Sequence, residues 1–102
     1  ALVISCLKTN YVRLGINRFQ PNYSVTSIRF PKEGQIIVFA VDPNLVSSSP
    51  GTAQITITNV AATQNLAGAV DFVMEAGDTL TMIGVNDNGT VRLYETARSV
   101  NH

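Results

Sequence analysis

The run Gln54-Ile55-Thr56-Ile57-Thr58 places an apolar side chain at every second position. That period belongs to a strand with one face buried, because successive side chains leave a strand on opposite sides. Thr79-Leu80-Thr81-Met82-Ile83 begins the same way. Thr90-Val91-Arg92-Leu93-Tyr94-Glu95 sets Val91 and Leu93 on one face against Arg92 and Tyr94 on the other. Gln35-Ile36-Ile37-Val38-Phe39-Ala40-Val41 is continuously apolar and reads as a strand covered on both faces. Further strands are expected over 2–7, 10–16, 24–30 and 70–74. Thr, Val and Ile dominate these stretches, and their branched Cβ suits a pleated surface.

The turn residues fit this pattern. Asn86-Asp87-Asn88-Gly89 is a hairpin signal, since Asn-Gly accepts the positive φ that tight primed turns require. Pro31-Lys32-Glu33-Gly34 and Glu75-Ala76-Gly77-Asp78 are further turns, and 42–51 is a longer polar loop. Residues 60–70 carry Ala but also Gly68, too little for a stable helix, and read as an irregular crossover. The expected architecture is all-β: a small antiparallel β-sandwich, jelly-roll-like, of about eight short strands. Residues 1–23 are expected to supply N-terminal strands and the connection to an upstream region. Residues 24–102 form the C-terminal sandwich, within one compact domain overall.

Composition narrows the chemistry. Of 102 residues only 14% are charged, against about 25% in ordinary domains. Ten Thr, nine Asn and seven Ser take their place. With 45% apolar residues and no net charge, the chain has neither the signature of disorder nor that of a basic nucleic-acid partner. One His and one Cys leave no metal site rich in either and no internal disulfide, and no cofactor is expected. The apolar start Ala1-Leu2-Val3-Ile4-Ser5-Cys6-Leu7 has no basic flank or cleavage-like tail, and is too short to span a bilayer. No membrane partner is expected, and the stretch reads as a buried strand or the join to something upstream.

Charge is segregated along the chain. Residues 1–32 hold five bases and no acid, 33–87 hold six acids and no base, and 88–102 hold Arg92, Glu95 and Arg98. Pairing of one region against the other within the chain is the expected outcome. Pairing between subunits is the alternative.

Three stretches, in order, resemble a known family. They are Val25-Thr26-Ser27-Ile28 leading into Glu33-Gly34-Gln35-Ile36-Ile37-Val38, then Ala53-Gln54-Ile55-Thr56-Ile57 with Leu66 to Phe72 behind it, then Ala76-Gly77-Asp78-Thr79-Leu80-Thr81-Met82-Ile83 followed by the Asn-Gly turn and Tyr94-Glu95-Thr96-Ala97-Arg98-Ser99. Together, over about 24–99, they resemble the C-terminal β-rich domain of bacteriophage tailspike and tail-fibre proteins. The resemblance implies a homotrimer in the virion tail and a non-catalytic trimerisation or stabilisation role. Any catalytic site would lie in an upstream β-helix. Contact with a bacterial surface polysaccharide is implied for some members. The family commonly has Trp where this chain has Leu93, so sugar stacking is not carried over to that position; Leu93 keeps a core-facing role.

Among candidate site residues, His102 would need an orienting partner and a nucleophile within hydrogen-bond reach to act as a base, and the last residue of a sequence is usually poorly ordered, so catalysis is not expected of it. Cys6 reads as a small buried hydrophobe, with Lys8 on its face if 2–8 is a strand. Asp71, Glu75, Asp78 and Asp87 could supply a glycosidase pair, but nothing in the sequence fixes two of them about 5–10 Å apart, and each has a turn or strand explanation. The Asn86–Gly89 string lacks the alternating ligands and distal Glu of a Ca²⁺ loop. Asn22-Tyr23-Ser24 and Asn88-Gly89-Thr90 are glycosylation sequons that matter only in a eukaryotic secretory pathway. The carbohydrate-binding candidates are Tyr11 with Arg13 and Arg92 with Tyr94, each pair sharing a strand face, with Tyr23 and the 42–51 loop as further options. The same tyrosines also suit the edge of a core with their hydroxyls in water. A structural module that trimerises is the first expectation and a glycan-binding module the alternative. Arg98 is expected to pair with an acidic residue.

Overall fold

The computed structural model describes residues 2–5, 9–15, 22–29, 31–44 and 53–101. Nine strands follow one another: β1 (Leu2–Ser5), β2 (Tyr11–Leu14), β3 (Asn22–Arg29), β4 (Ile36–Val41), β5 (Gln54–Ile57), β6 (Gln64–Asn65), β7 (Phe72–Met74), β8 (Thr79–Asp87) and β9 (Thr90–Ser99). A 3₁₀ turn at Ala67–Ala69 interrupts them between β6 and β7. They form a four-stranded sheet in the order β1-β3-β5-β7 and a five-stranded sheet in the order β2-β4-β8-β9-β6. The all-β, sandwich-like architecture is therefore as expected.

The strand directions correct the antiparallel, jelly-roll-like expectation. β1–β3, β3–β5, β2–β4 and β6–β9 are parallel pairs. β4–β8, β5–β7 and β8–β9 are antiparallel. The cause is the path of the chain, which changes sheet at every connection from β1 to β8. A strand that returns to its sheet after a full turn arrives parallel to the one before it, whereas a two-residue hairpin can only return antiparallel. β1 with β2, and then β3 with β4, are thus two turns of a flattened coil, stacked strand on strand. The coil breaks after β5, where the β8–β9 hairpin takes the place beside β4 and pushes β6 to the far edge. Residue 23 lies inside β3, so the stretches 1–23 and 24–102 share both sheets.

Between the sheets lies one core: Leu14, Val25, Ile28, Ile37, Phe39, Val41, Ile55, Ile57, Leu66, Phe72, Met74, Leu80, Met82 and Leu93. β4 departs from its expected double coverage. Ile37, Phe39 and Val41 are buried, but Ile36 is 54% exposed and Val38 and Ala40 are half-buried. One face of this apolar run therefore meets the core and the other looks outward.

Two buried polar side chains tie the layers. Gln64 accepts from Ile28 N–H at 3.2 Å and donates to the Thr58 carbonyl at 3.0 Å. Asp78 accepts from Glu75 N–H at 2.9 Å and from Asn101 N–H at 2.7 Å, fastening the chain end to the β7–β8 turn. Both side chains sit at positions with no residual exposure, where unpaired polar atoms would be costly.

Candidate functional site

Alternation along each strand of the five-stranded sheet decides which side chains look outward. On β2, Val12 packs on the core and Leu14 is buried, so Tyr11 and Arg13 point away. On β8, Leu80, Met82 and Gly84 are buried, which turns Thr79, Thr81, Ile83 and Val85 outward. On β9, Leu93 is buried and Arg92 and Tyr94 point away. All four expected binding residues thus lie on one face of one sheet.

Register sets their spacing. Tyr11 is level with Val38 and Thr81, while Ile36 is level with Ile83 and Tyr94. Tyr11 and Tyr94 are therefore three strands apart, roughly 15 Å at the usual spacing. The structure brings together Arg92 with Tyr94 and Arg13 with Tyr11, but leaves the two pairs on opposite flanks. Between them the outer positions are Ile36, Val38, Ala40, Thr79, Thr81, Ile83 and Val85, none of them charged. Tyr11 is 57% and Val85 39% exposed. The outer face of the four-stranded sheet differs: Ser24, Ser27 and Thr56 alternate with Val3 and Val73.

Both arginines are already engaged. Arg13 Nη2 contacts Asp42 Oδ1 at 2.9 Å. Asn44 N–H donates to the same carboxylate at 2.9 Å. This backbone hydrogen bond first, and Arg13 after it, hold Asp42 below the usual carboxylate range. On the other flank Arg92 Nη1 donates to Asp87 Oδ2 at 3.0 Å, and Tyr94 OH donates to the same oxygen at 3.4 Å. Asp87 thus completes a cluster of cation, carboxylate and phenol. Sequence reasoning considered Asp87 only as a turn, glycosidase or Ca²⁺ residue. The signal was present: an Asn88-Gly89 turn pairs Asp87 with Thr90, which sets Arg92 diagonally across on the same face.

The other candidate carboxylates, Asp71, Asp78 and Glu75, have structural partners. Asp71 accepts from Asn59 N–H at 2.8 Å, and Asn59 Oδ1 accepts from Leu66 N–H at 2.8 Å. Asp78 holds the two backbone N–H groups named above, and Glu75 receives Gln54 Nε2 at 3.5 Å. Among the described residues no group of three or more His, Cys, Asp or Glu side chains is placed to hold a metal ion. Tyr23 donates its hydroxyl to the Gly15 carbonyl at 2.7 Å, and burial raises its pKa. Cys6, Lys8, Arg18, His102 and the 45–51 part of the polar loop lie outside the described residues.

A groove of about 300 Å³ opens between Ile28, Arg29, Pro31, Ala62, Thr63 and Val91, away from the four candidates. Comparison with protein-family models, curated proteins and solved structures finds no match.

Proposed function

We propose that the chain is a non-catalytic assembly module. Copies of it, three in the tailspike or tail-fibre arrangement that the sequence resembles, join through the outer face of the five-stranded sheet and stabilise a virion tail. One observation carries this reading: the uncharged outer face centred on Ile36, Val38 and Ile83, with Tyr11 and Tyr94 at its flanks. Permanent interfaces are apolar and depleted of charge at their centre, with aromatic residues enriched. The five strands, of four, six, nine, ten and two residues, average about 20 Å in length, and at about 4.8 Å spacing they give a face of roughly 500 Å². That is most of the about 800 Å² per partner that a stable interface takes. The flanking ion pairs Arg13–Asp42 and Arg92–Asp87 each offer both signs of charge to a neighbouring copy.

Light scattering after size exclusion, at two salt concentrations, tests this. The monomer is 11.0 kDa, and a species three times heavier that persists at high salt is expected. The double variant Ile36→Lys with Val38→Lys should run as a monomer with an unchanged β-sheet circular dichroism spectrum. A wild-type monomer at micromolar concentration rules the assembly reading out.

The second reading is glycan binding, favoured by the Arg92–Asp87–Tyr94 cluster. Its carboxylate and phenol can exchange hydrogen bonds with vicinal hydroxyls. Arg92 is already neutralised, so a neutral sugar fits better there than an acidic one.

A further inference from the structure

The β8–β9 hairpin closes in the two-residue turn Asn88-Gly89. β4 begins at Ile36, level with Ile83, so the turn projects beyond it. Asn86, Asn88 and Gly89 are exposed. Of the nine Asn only Asn88 precedes a glycine. That dipeptide carries a chemistry of its own. The Gly89 nitrogen can attack the side-chain amide carbon of Asn88, because residue 89 has no Cβ to stand in the way. A carbon–nitrogen bond then closes a cyclic imide, and the side-chain nitrogen leaves as ammonia with the proton that Gly89 gives up. Water opens the imide at either carbonyl and leaves aspartate or isoaspartate at 88. Only water is consumed. One carboxylate is gained, so the formal net charge goes from 0 to −1.

We infer that Asn88-Gly89 is a self-modification site and that the Asn86 side chain holds it shut. Gly89 N–H donates to Asn86 Oδ1 at 2.8 Å. That bond retains the proton the attack must release, and it fixes the direction of the nitrogen. The backbone adds a second restraint. Asn88 and Gly89 hold φ of 52° and 95°, and Asp87 pairs with Thr90 across the turn. The peptide between 88 and 89 cannot swing round without opening that last rung. The two products differ in effect. Aspartate accepts positive φ as asparagine does, and keeps the turn. Isoaspartate adds a main-chain carbon to a two-residue loop and breaks the Asp87–Thr90 rung. Asp87 supplies the oxygen that receives Arg92 and Tyr94, so the cluster on that flank comes apart with the rung. The inference does not depend on which face joins copies of the chain, or on whether a sugar binds.

Charge gain during incubation in mildly alkaline buffer tests it, read by isoelectric focusing and located by peptide mapping for isoaspartate. The folded wild type should gain charge slowly, and the same chain unfolded in urea quickly. Asn86→Ala removes the acceptor, and its folded form should react about tenfold faster than wild type, the rate equivalent of one neutral hydrogen bond. Asn86→Asp keeps an acceptor oxygen and should stay slow. Asn88→Gly suits the positive φ and should abolish the fast charge gain. Hydrogen exchange at Met82 and Glu95, paired deeper in the same ladder, separates a lost bond from a loosened hairpin and should match wild type in Asn86→Ala. Equal rates for folded and unfolded wild type overturn the inference, as does Asn86→Ala reacting no faster than wild type. So does Asn86→Asp reacting as fast as Asn86→Ala, or quickened exchange at Met82 in step with the faster reaction. A fast charge gain that survives Asn88→Gly places the chemistry elsewhere and overturns it as well.

Discussion

Glu95 and Arg98 lie three positions apart on β9, yet their side chains meet on the inward side of the sheet. Arg98 Nε donates to Glu95 Oε2 at 2.7 Å and Nη2 to Oε1 at 2.6 Å. Residues three apart on a regular strand point to opposite faces. A bulge resolves this: Met82 pairs with Glu95 and Thr81 with Ala97, leaving Thr96 as the extra residue. The pair then closes the core, with the guanidinium 4.0 Å above the Phe72 ring and Glu95 Oε1 accepting Ala67 N–H at 2.9 Å. This is the acidic partner expected for Arg98.

Arg98 first, against the opposing effect of burial and with help from Ala67, holds the Glu95 carboxyl below its usual range. A carboxyl depressed in the folded state contributes stability above its unfolded pKa, about 4.3, and loses it as pH falls through the folded value. Unfolding free energy should therefore fall on acidification below about pH 4.3, and Glu95→Gln should flatten that slope. At pH 7 Glu95→Ala should cost about 2 kcal/mol in denaturant titration. That is below the 3–5 kcal/mol of a fully buried pair, because Arg98 keeps 28% of its side chain in water.

Gly84 occupies the inner face of β8 beneath the chain that leads into β4. A Cβ there would land on the Lys32 carbonyl oxygen. Gly34 N–H donates to the Gly84 carbonyl at 2.8 Å, and Gly84 N–H donates to that of Gln35 at 2.9 Å, so the backbone has no room to retreat. Gly84→Ala should destabilise by about 2–3 kcal/mol, as overpacking does. A melting midpoint within a degree of wild type would show that the two segments can separate at little cost.

Much of this was legible in advance, for reasons that can be located. Alternation at Gln54–Thr58 and around Leu93 placed their inward faces correctly. The Asn88-Gly89 turn appears where expected, with φ of 52° and 95°. Direction was not legible, because an alternating strand reads the same in a parallel or an antiparallel pair. Only the hairpin turn carried that information, and β8–β9 is antiparallel accordingly. The run at Ile36–Val41 misled because continuous apolarity does not say what covers the second face. The Thr96 bulge and the close approach at Gly84 depend on segments far apart in sequence, although a glycine inside a strand is a recognised sign of such contact.

Gln64 sits on the two-residue β6, and its amide holds Ile28 N–H and the Thr58 carbonyl together. Gln64→Leu keeps the volume but leaves one buried donor and one buried acceptor unpaired. The expected loss is about 2–4 kcal/mol. Hydrogen exchange should quicken at Ile28 more than at Val25, which keeps its place in the β3 ladder. Equal acceleration at both would mean that the whole layer has loosened rather than one bond.

The glycan reading makes its own demand on the outer face. Tyr94 and Asp87 lie on one flank and Tyr11 on the other, so a short sugar can use only one flank. Tyr94→Ala and Asp87→Ala should each weaken binding about tenfold if the hydrogen-bonding cluster is the site, by the loss of about 1.4 kcal/mol. Tyr11→Ala should then leave affinity for a disaccharide unchanged and lower it only for longer chains that cross the face. Titration calorimetry with a length series of one oligosaccharide checks this. Equal losses from Tyr11→Ala and Tyr94→Ala at disaccharide length would contradict a spacing of roughly 15 Å between the rings. Binding untouched by all three changes would leave the face to self-association.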